Sequence, residues 1–274
     1  MKKLRNDIDK VLEKIIIEHE QVAREQQIHS RKDFVDVLLS LMNQPMNPQD
    51  EHVYIVGRTN IKGILWDMIV AASDTSAVAI EWTISELLRN PKVMKNLQNE
   101  LENVVGRDRI VEEKDLDKLE YLDMVLKESL RLHPVAPFLV PRESMKDITI
   151  DGYLIPKKSR ILINAWAIGR DSSVWSENVE EFDPERFANS DTDFRGHDFK
   201  LLPFGSGRRG CPGMQLGLTI VRFVVAQLVH CFDWELPCEM KAEDMDMTEK
   251  FGLSMGRANN LLAKPAYHLL PKTI

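Results

Sequence analysis

Residues 204–213 read Phe-Gly-Ser-Gly-Arg-Arg-Gly-Cys-Pro-Gly, the densest chemistry in this 274-residue chain. Four glycines surround one cysteine, two arginines precede it, and an apolar run of helical period follows. Glycines let a backbone approach a flat ligand closely and adopt positive φ. A cysteine near a helix N-terminus is favoured as its thiolate, and neighbouring guanidinium groups reinforce that. A thiolate with one open face suits a metal ligand. The same residues also fit a buried cysteine beside a tight turn.

Other groupings are weaker. Zinc held by Cys211, His230 and Cys231 lacks the close cysteine pairs of structural zinc sites. Cys231 and Cys238 fit packing or loop roles, and His133, His197 and His268 show no ligand spacing. Glu128 and Arg131, three apart, share a helix face. Alone they would be a solvated ion pair; with Arg186 they could form a buried cluster, since one carboxylate accepts from two guanidinium forks. Asp183 could support that cluster or be a solvated turn residue. Asp74 and Thr75 interrupt an otherwise apolar helical run. A buried carboxylate there needs a partner or a purpose. Thr75 could return its hydroxyl to the Ala71 carbonyl.

These residues need elements to hold them. Apolar spacing predicts helices over 3–25, to about Met42 behind a Ser30/Asp33 capping box, and from a Thr59 cap to Arg89. Further helices run from an Asn90 cap to about Gly106, over 121–132, and over 214–231. The stretch 147–166 reads as short strands with an Asp151-Gly152 turn. Residues 169–210 form a long irregular segment that something must organise. The tryptophans are assigned to packing, and residues 61–80, interrupted by Lys62, Asp67 and Asp74, to a buried helix rather than a membrane span. The fold class is mainly α with a small β layer. A net charge of -7 argues against nucleic acid, three cysteines exclude a disulfide framework, and no membrane anchor is expected.

The segment FGSGRRGCPG resembles the haem-binding loop of cytochrome P450, FxxGxRxCxG, with Phe204, Gly207, Arg209, Cys211 and Gly213 in place. The family's other motifs follow its order: Ala71–Ser76 resembles the oxygen-binding stretch, Glu128-Ser-Leu-Arg131 the ExxR motif, and Pro184-Glu-Arg-Phe187 the PERF motif. KESLRLHP, DGYLIPK and NAWAIGRD look like the plant microsomal branch.

The resemblance implies haem b with Cys211 as the metal ligand. Phe204, Gly205 and Gly213 would line the ligand side, Ala71 the oxygen groove, and Arg142 and Arg209 the propionates. Thr75 and Asp74 would support proton delivery. Val135, Phe138, Leu139, Phe251 and Leu253 would line the substrate pocket. Glu128, Arg131 and Arg186 would be structural. Arg208, Lys127 and Lys200 could face an electron donor. The implied activity is a monooxygenase using O2, a small lipophilic substrate and electrons from NADPH-cytochrome P450 reductase. It would work on the cytosolic face of the endoplasmic reticulum membrane, or in the cytoplasm as a short form. Residues 1–274 read as a single partial domain, the C-terminal half of an N-terminally truncated P450-like fold. The alternatives are a truncated, non-catalytic haem-binding or protein-interaction fragment and a zinc module.

Overall fold

The computed structural model describes residues 2–25, 32–45, 54–176 and 178–269. The chain divides into two compact units, residues 1–73 and 74–274.

In the first unit, α1 (Lys2–Glu25) and α2 (Phe34–Ser40) bury Leu12, Ile16 and Leu38 with Ile61 and Leu65 of α3 (Arg58–Arg89). The α2 cap lies three residues beyond its expected place, at Asp33 rather than Ser30. Asp33 Oδ1 accepts from the N–H groups of Val35 and Asp36 at 2.8 and 3.1 Å, and Asp36 Oδ2 accepts from the Asp33 N–H at 3.0 Å. Ser30 lies outside the described residues. His19 Nδ1 donates to the Ile15 carbonyl, and its Nε2 meets Asp33 Oδ2 at 2.9 Å. Those two contacts, the backbone one first, raise the imidazole above its ordinary value of 6.5. Arg58 hydrogen-bonds Glu13 and Glu20 at 2.8 and 2.6 Å. With Lys62 it holds the Glu13 carboxyl down to about 2.

Helix α3 begins at Arg58 rather than behind a Thr59 cap. Gly57 is the cap: its carbonyl accepts from the Asn60 and Ile61 N–H groups, while Asn60 Oδ1 accepts from the Gly57 N–H. The expectation of a buried helix over 61–80 is overturned for its middle. Trp66, Asp67 and residues 69–75 are all exposed, and burial becomes continuous only from Trp82 to Leu88. Helix α3 and the helix Met214–Cys231 are long and apolar enough to cross a membrane by length and composition alone.

The second unit packs the C-terminal half of α3 with α4 (Pro91–Val105), α5 (Glu120–Leu132) and α8 (Met214–Cys231). Leu97, Leu122, Val125, Val225 and Val229 at its centre have no exposed surface. Proline at the first position of α4 lacks the N–H that a helix start leaves unpaired. Asn90 is the N-cap residue of α4, as expected, and its carbonyl accepts from the Met94 N–H at 3.1 Å, but its side chain makes no capping bond. Its amide donates to the Glu86 carbonyl and to Glu86 Oε2, at 2.9 and 3.1 Å, and so finishes α3.

Among the described residues the β layer is four antiparallel two-stranded pairs. β1 (Arg142–Glu143) pairs with β4 (Arg160–Ile161), and β2 (Ile148–Ile150) with β3 (Tyr153–Ile155). The β2–β3 turn is Asp151-Gly152, with φ of 48° and 83°, the left-handed pair a two-residue hairpin requires. β5 (Phe232–Glu235) pairs with β8 (Lys264–Tyr267), and β6 (Glu249–Lys250) with β7 (Gly256–Arg257). Between β4 and α8 run the short helices α6 (Ala165–Ile168) and α7 (Ser172–Trp175) and single 3-10 turns. Gly169 follows α6, where a Cβ would stand 2.4 Å from the Arg131 carbonyl oxygen. Only a residue without a side chain lets these two backbones touch.

Candidate active site

The Cys211 loop is shaped by its own backbone. Buried Leu201 and Leu202 anchor its approach. The Gly205 N–H donates to the Leu202 carbonyl, Gly210 to Gly207, and Cys211 to Phe204, at 3.2, 3.0 and 2.9 Å. Gly205 and Gly207 take φ of 68° and 73°, where a side chain is strained. Gly213 caps α8 two residues beyond Cys211. A methyl group on Gly213 would come within 3.9 Å of Cys211 Sγ, and one on Gly207 would meet nothing within 4 Å. The thiol is exposed. It therefore stands on an open, glycine-flanked face at the positive end of an 18-residue helix. That arrangement fits a flat ligand that would be held by the Cys211 sulfur.

Phe204 is half-buried; Arg208, Arg209 and Lys200 are exposed. Arg142 Nη2 donates to the Arg209 carbonyl at 2.8 Å, tying β1 to the loop. Lys127 lies 5.7 Å from the ring of Phe187 and 5.8 Å from that of Phe194.

Zinc ligation by Cys211, His230 and Cys231 is not assembled. The two cysteines flank α8, whose 18 residues span about 27 Å at 1.5 Å per residue. Cys231 is buried, which raises its thiol, and it donates to Gln227 Oε1. His230 Nε2 meets the Arg109 carbonyl at 3.0 Å. The side chain of Cys238 lies outside the described residues. Among the described residues His19, Asp33 and Asp36 bring ligand-type atoms within 4.8 Å of one another. All three take part in the α2 cap.

Glu128, Arg131 and Arg186 come together in the core. Arg131 Nε and Nη2 donate to the two Glu128 carboxylate oxygens, both at 2.7 Å. Its remaining donors reach the carbonyls of Gly169, Val179 and Glu181 at 2.7, 2.7 and 3.1 Å. Arg186 Nε donates to Glu128 Oε1 at 3.1 Å, and its Nη1 to the Trp175 carbonyl at 2.6 Å. The Asp183 backbone N–H also reaches Glu128, at 2.9 Å. Arg131 and Glu128 side chains have no exposed surface. Two guanidinium groups thus organise the irregular segment by gathering its carbonyls around one carboxylate.

Asp74 is exposed rather than buried, and its Oδ2 accepts from Ser254 Oγ at 2.6 Å. Ala71 and Thr75, one helical turn apart on α3, are exposed as well. Ser254 lies in the turn 251–255 between β6 and β7. At the same turn Phe251 meets Phe138 edge-on, ring centroids 5.9 Å apart, and the Met255 N–H donates to the Val135 carbonyl at 2.8 Å. Leu139 takes φ 49°, and its Cδ1 stands 3.8 Å from where a Gly205 Cβ would be. Phe251 and Leu253 are 74% and 73% exposed, large apolar side chains offered to something else.

Sequence reasoning missed a group behind this turn. Trp82, Glu86, His133, Arg170, Glu249 and Arg257 converge from α3, the end of α5, the loop after α6, and the β6–β7 hairpin. The available signal was Glu86, one turn beyond Trp82 on a buried helix face.

The sequence pattern of the cytochrome P450 family matches residues 1–262. This chain belongs to the cytochrome P450 family. It is 58% identical to Cytochrome P450 CYP736A12 of Panax ginseng over 262 residues, 96% of this chain and 52% of that protein. It is 47% identical to Cytochrome P450 71AP13 of Prunus mume, over 94% of this chain and 49% of that protein. Against Cytochrome P450 71A1 of Persea americana the identity is 46%, over 93% and 50%. This P450 chain spans about half the length of the curated relatives it matches. The match over 1–262 overturns its description as an N-terminally truncated, C-terminal-half fold. The mainly-α, P450-like fold with its small β layer covers nearly the whole chain. Membership in the P450 family implies a haem cofactor.

Proposed function

We propose that this P450 chain serves as one haem-thiolate monooxygenase domain, placing one atom of O2 into a small lipophilic molecule. Electrons would come from NADPH-cytochrome P450 reductase. The observation that carries the reading is the exposed Cys211 thiol on a glycine-flanked face at the start of α8. Haem, once bound, would be held by Cys211 and would supply the oxygen-activating chemistry.

The chain's own residues divide the remaining work. Cys211, two residues before the Gly213 cap of α8, is the residue placed to serve as the iron ligand. Phe204, Gly205 and Gly213 keep that face open to a flat ring. Arg142, already joined to the loop through the Arg209 carbonyl, and Arg209 offer their remaining guanidinium donors to propionates. Asp74, oriented by Ser254, and Thr75 hold and move protons on α3. Ala71 lies one turn before Thr75 on α3, in the stretch that resembles the family's oxygen-binding segment. Val135, Phe138, Leu139, Phe251 and Leu253 exclude water and grip an apolar substrate. Glu128, Arg131 and Arg186 hold the irregular segment in place and touch neither. Exposed Arg208 and Lys200 offer positive charge to the electron donor. The cytosolic face of the endoplasmic reticulum membrane, where the plant microsomal branch works, is the expected location, in plant secondary metabolism. Nothing among the described residues favours the cytoplasmic alternative.

The test is the reduced, carbon monoxide difference spectrum of the haem-supplemented protein and of Cys211→Ser. The strongly red-shifted Soret band of a thiolate-ligated haem is expected in the parent and absent from the variant. A parent without that band, or a variant that keeps it, overturns the reading.

A further inference from the structure

The turn 251–255 carries Phe251 and Leu253 outward, yet few contacts hold its tip. A Cβ on Gly252 would stand 2.8 Å from the Ser254 carbonyl oxygen, so the backbone is tightly folded. Within five residues the turn joins Met255 to Phe251, with its edge contact to Phe138, and to Ser254, with its hydrogen bond to Asp74.

Met255 is held from below. Trp82 Nε1–H donates to its carbonyl at 2.8 Å, and its own N–H donates to the Val135 carbonyl. The Trp82 indole has no exposed surface and lies flat on the His133 imidazole, centroids 3.8 Å apart and planes 1° apart. The Arg257 guanidinium stands 5.6 Å from the same indole. His133 in turn joins two elements. Its Nε2 meets Glu86 Oε1 of α3 at 2.7 Å, and its Nδ1 faces Glu249 Oε1 of β6 at 3.4 Å. Glu249 also accepts from Trp166 Nε1 and lies 3.8 Å from Arg170 Nη2. The link through Trp82 is well made. The link through Glu249 is looser, because neither His133 Nδ1 nor Glu249 Oε1 completes a hydrogen bond.

We propose that Trp82 and His133 are positioning residues: they set the placement of the 251–255 turn, and through it affinity for the lipophilic substrate, without touching that substrate. The inference deepens the monooxygenase reading and rests on it for what the turn grips. The anchoring of the turn stands apart from that reading.

Two measurements on Trp82→Phe, which keeps a stacking ring and removes the N–H, separate the parts. Hydrogen exchange of Met255–Arg257 is expected to quicken about tenfold, a factor set by the lost hydrogen bond. Exchange of the α5 core, Leu122–Leu130, stays unchanged. Trp234→Phe, which removes a like indole bond to the Leu228 carbonyl, is the control and leaves 251–257 untouched. In the haem-loaded protein, spectral titration with 1-phenylimidazole is expected to weaken about fivefold. Titration with imidazole, which ligates without reaching the turn, does not change. Glu249→Gln, across the looser link, gives a smaller effect of the same sign and serves if Trp82→Phe does not fold. Unchanged exchange overturns the anchoring. Faster exchange with unchanged phenylimidazole affinity, or equal weakening of both ligands, overturns the positioning role. If the parent takes no haem, the monooxygenase reading and the substrate role fall together, and exchange still decides the anchoring.

Discussion

In the Glu128–Arg131–Arg186 cluster, five hydrogen bonds leave the Arg131 guanidinium, and the ExxR pair has no surface. In the Cys211 loop the backbone satisfies itself, while the thiol and both arginines stand in solvent. Both regions are polar and both lie beside the irregular segment. They differ in what is left over. A cluster with no spare donor can only hold, whereas a loop with spare groups can bind. The difference follows from dielectric: a buried unpaired charge is costly, so the cluster survives only complete, and an exposed thiol costs little.

The largest expected effect comes from breaking the closed region. Arg131→Ala leaves the Glu128 carboxylate buried and partly unpaired, at a cost of roughly 3–5 kcal/mol. Cys211→Ser on the open face is expected to change stability by less than about 0.5 kcal/mol while abolishing thiolate ligation. Urea unfolding of the two variants checks this, and equal midpoints would erase the contrast. An intermediate case is Asp115, whose side chain is 3% exposed and paired to Arg109 at 2.6 Å. The Arg109 hydrogen bond holds its carboxyl down to about 2, against 3.8 ordinarily. Its contribution is present above the ordinary value and is lost as pH falls through the lower one. With Arg109 partly solvated, Asp115→Asn is expected to cost about 1–2 kcal/mol at neutral pH. The gap from the parent should close towards pH 2 in acid unfolding curves. The smallest effect is at the surface. His19 has a raised folded value, so its pairing with Asp33 contributes fully below 6.5 and fades as pH rises through that raised value. His19→Gln is expected to cost a few tenths of a kcal/mol. Ring proton shifts in the parent should titrate above 6.5.

The long helices were legible in the sequence because their apolar residues repeat at three and four over many turns. Glu128 and Arg131 were placed on one face by spacing alone, but their carbonyl acceptors at 169, 179 and 181 belong to a loop with no period. Helix starts were misassigned where side-chain chemistry permits several outcomes. Thr59 offered a hydroxyl, yet Gly57 with Asn60 caps α3; Asn90 was rightly placed at the start of α4, but its amide turns back to Glu86 instead of capping. The middle of α3 was read as buried because it is apolar, and composition does not report what covers a face. His133 showed no ligand spacing; its partners Glu86 and Glu249 stand 47 and 116 residues away, a separation no local pattern encodes.

At Gly169 the loop and helix α5 meet backbone to backbone, with no layer of side chains between them. Side chains ordinarily act as bearings, letting packed elements slide by small rotamer changes. Here there is no bearing. The junction should transmit displacement as a welded joint does, so that residues 165–171 and the end of α5 fluctuate in phase. Spin labels at exposed Ser172 and Glu120 would then keep a narrow distance distribution on warming until the second unit melts as a whole.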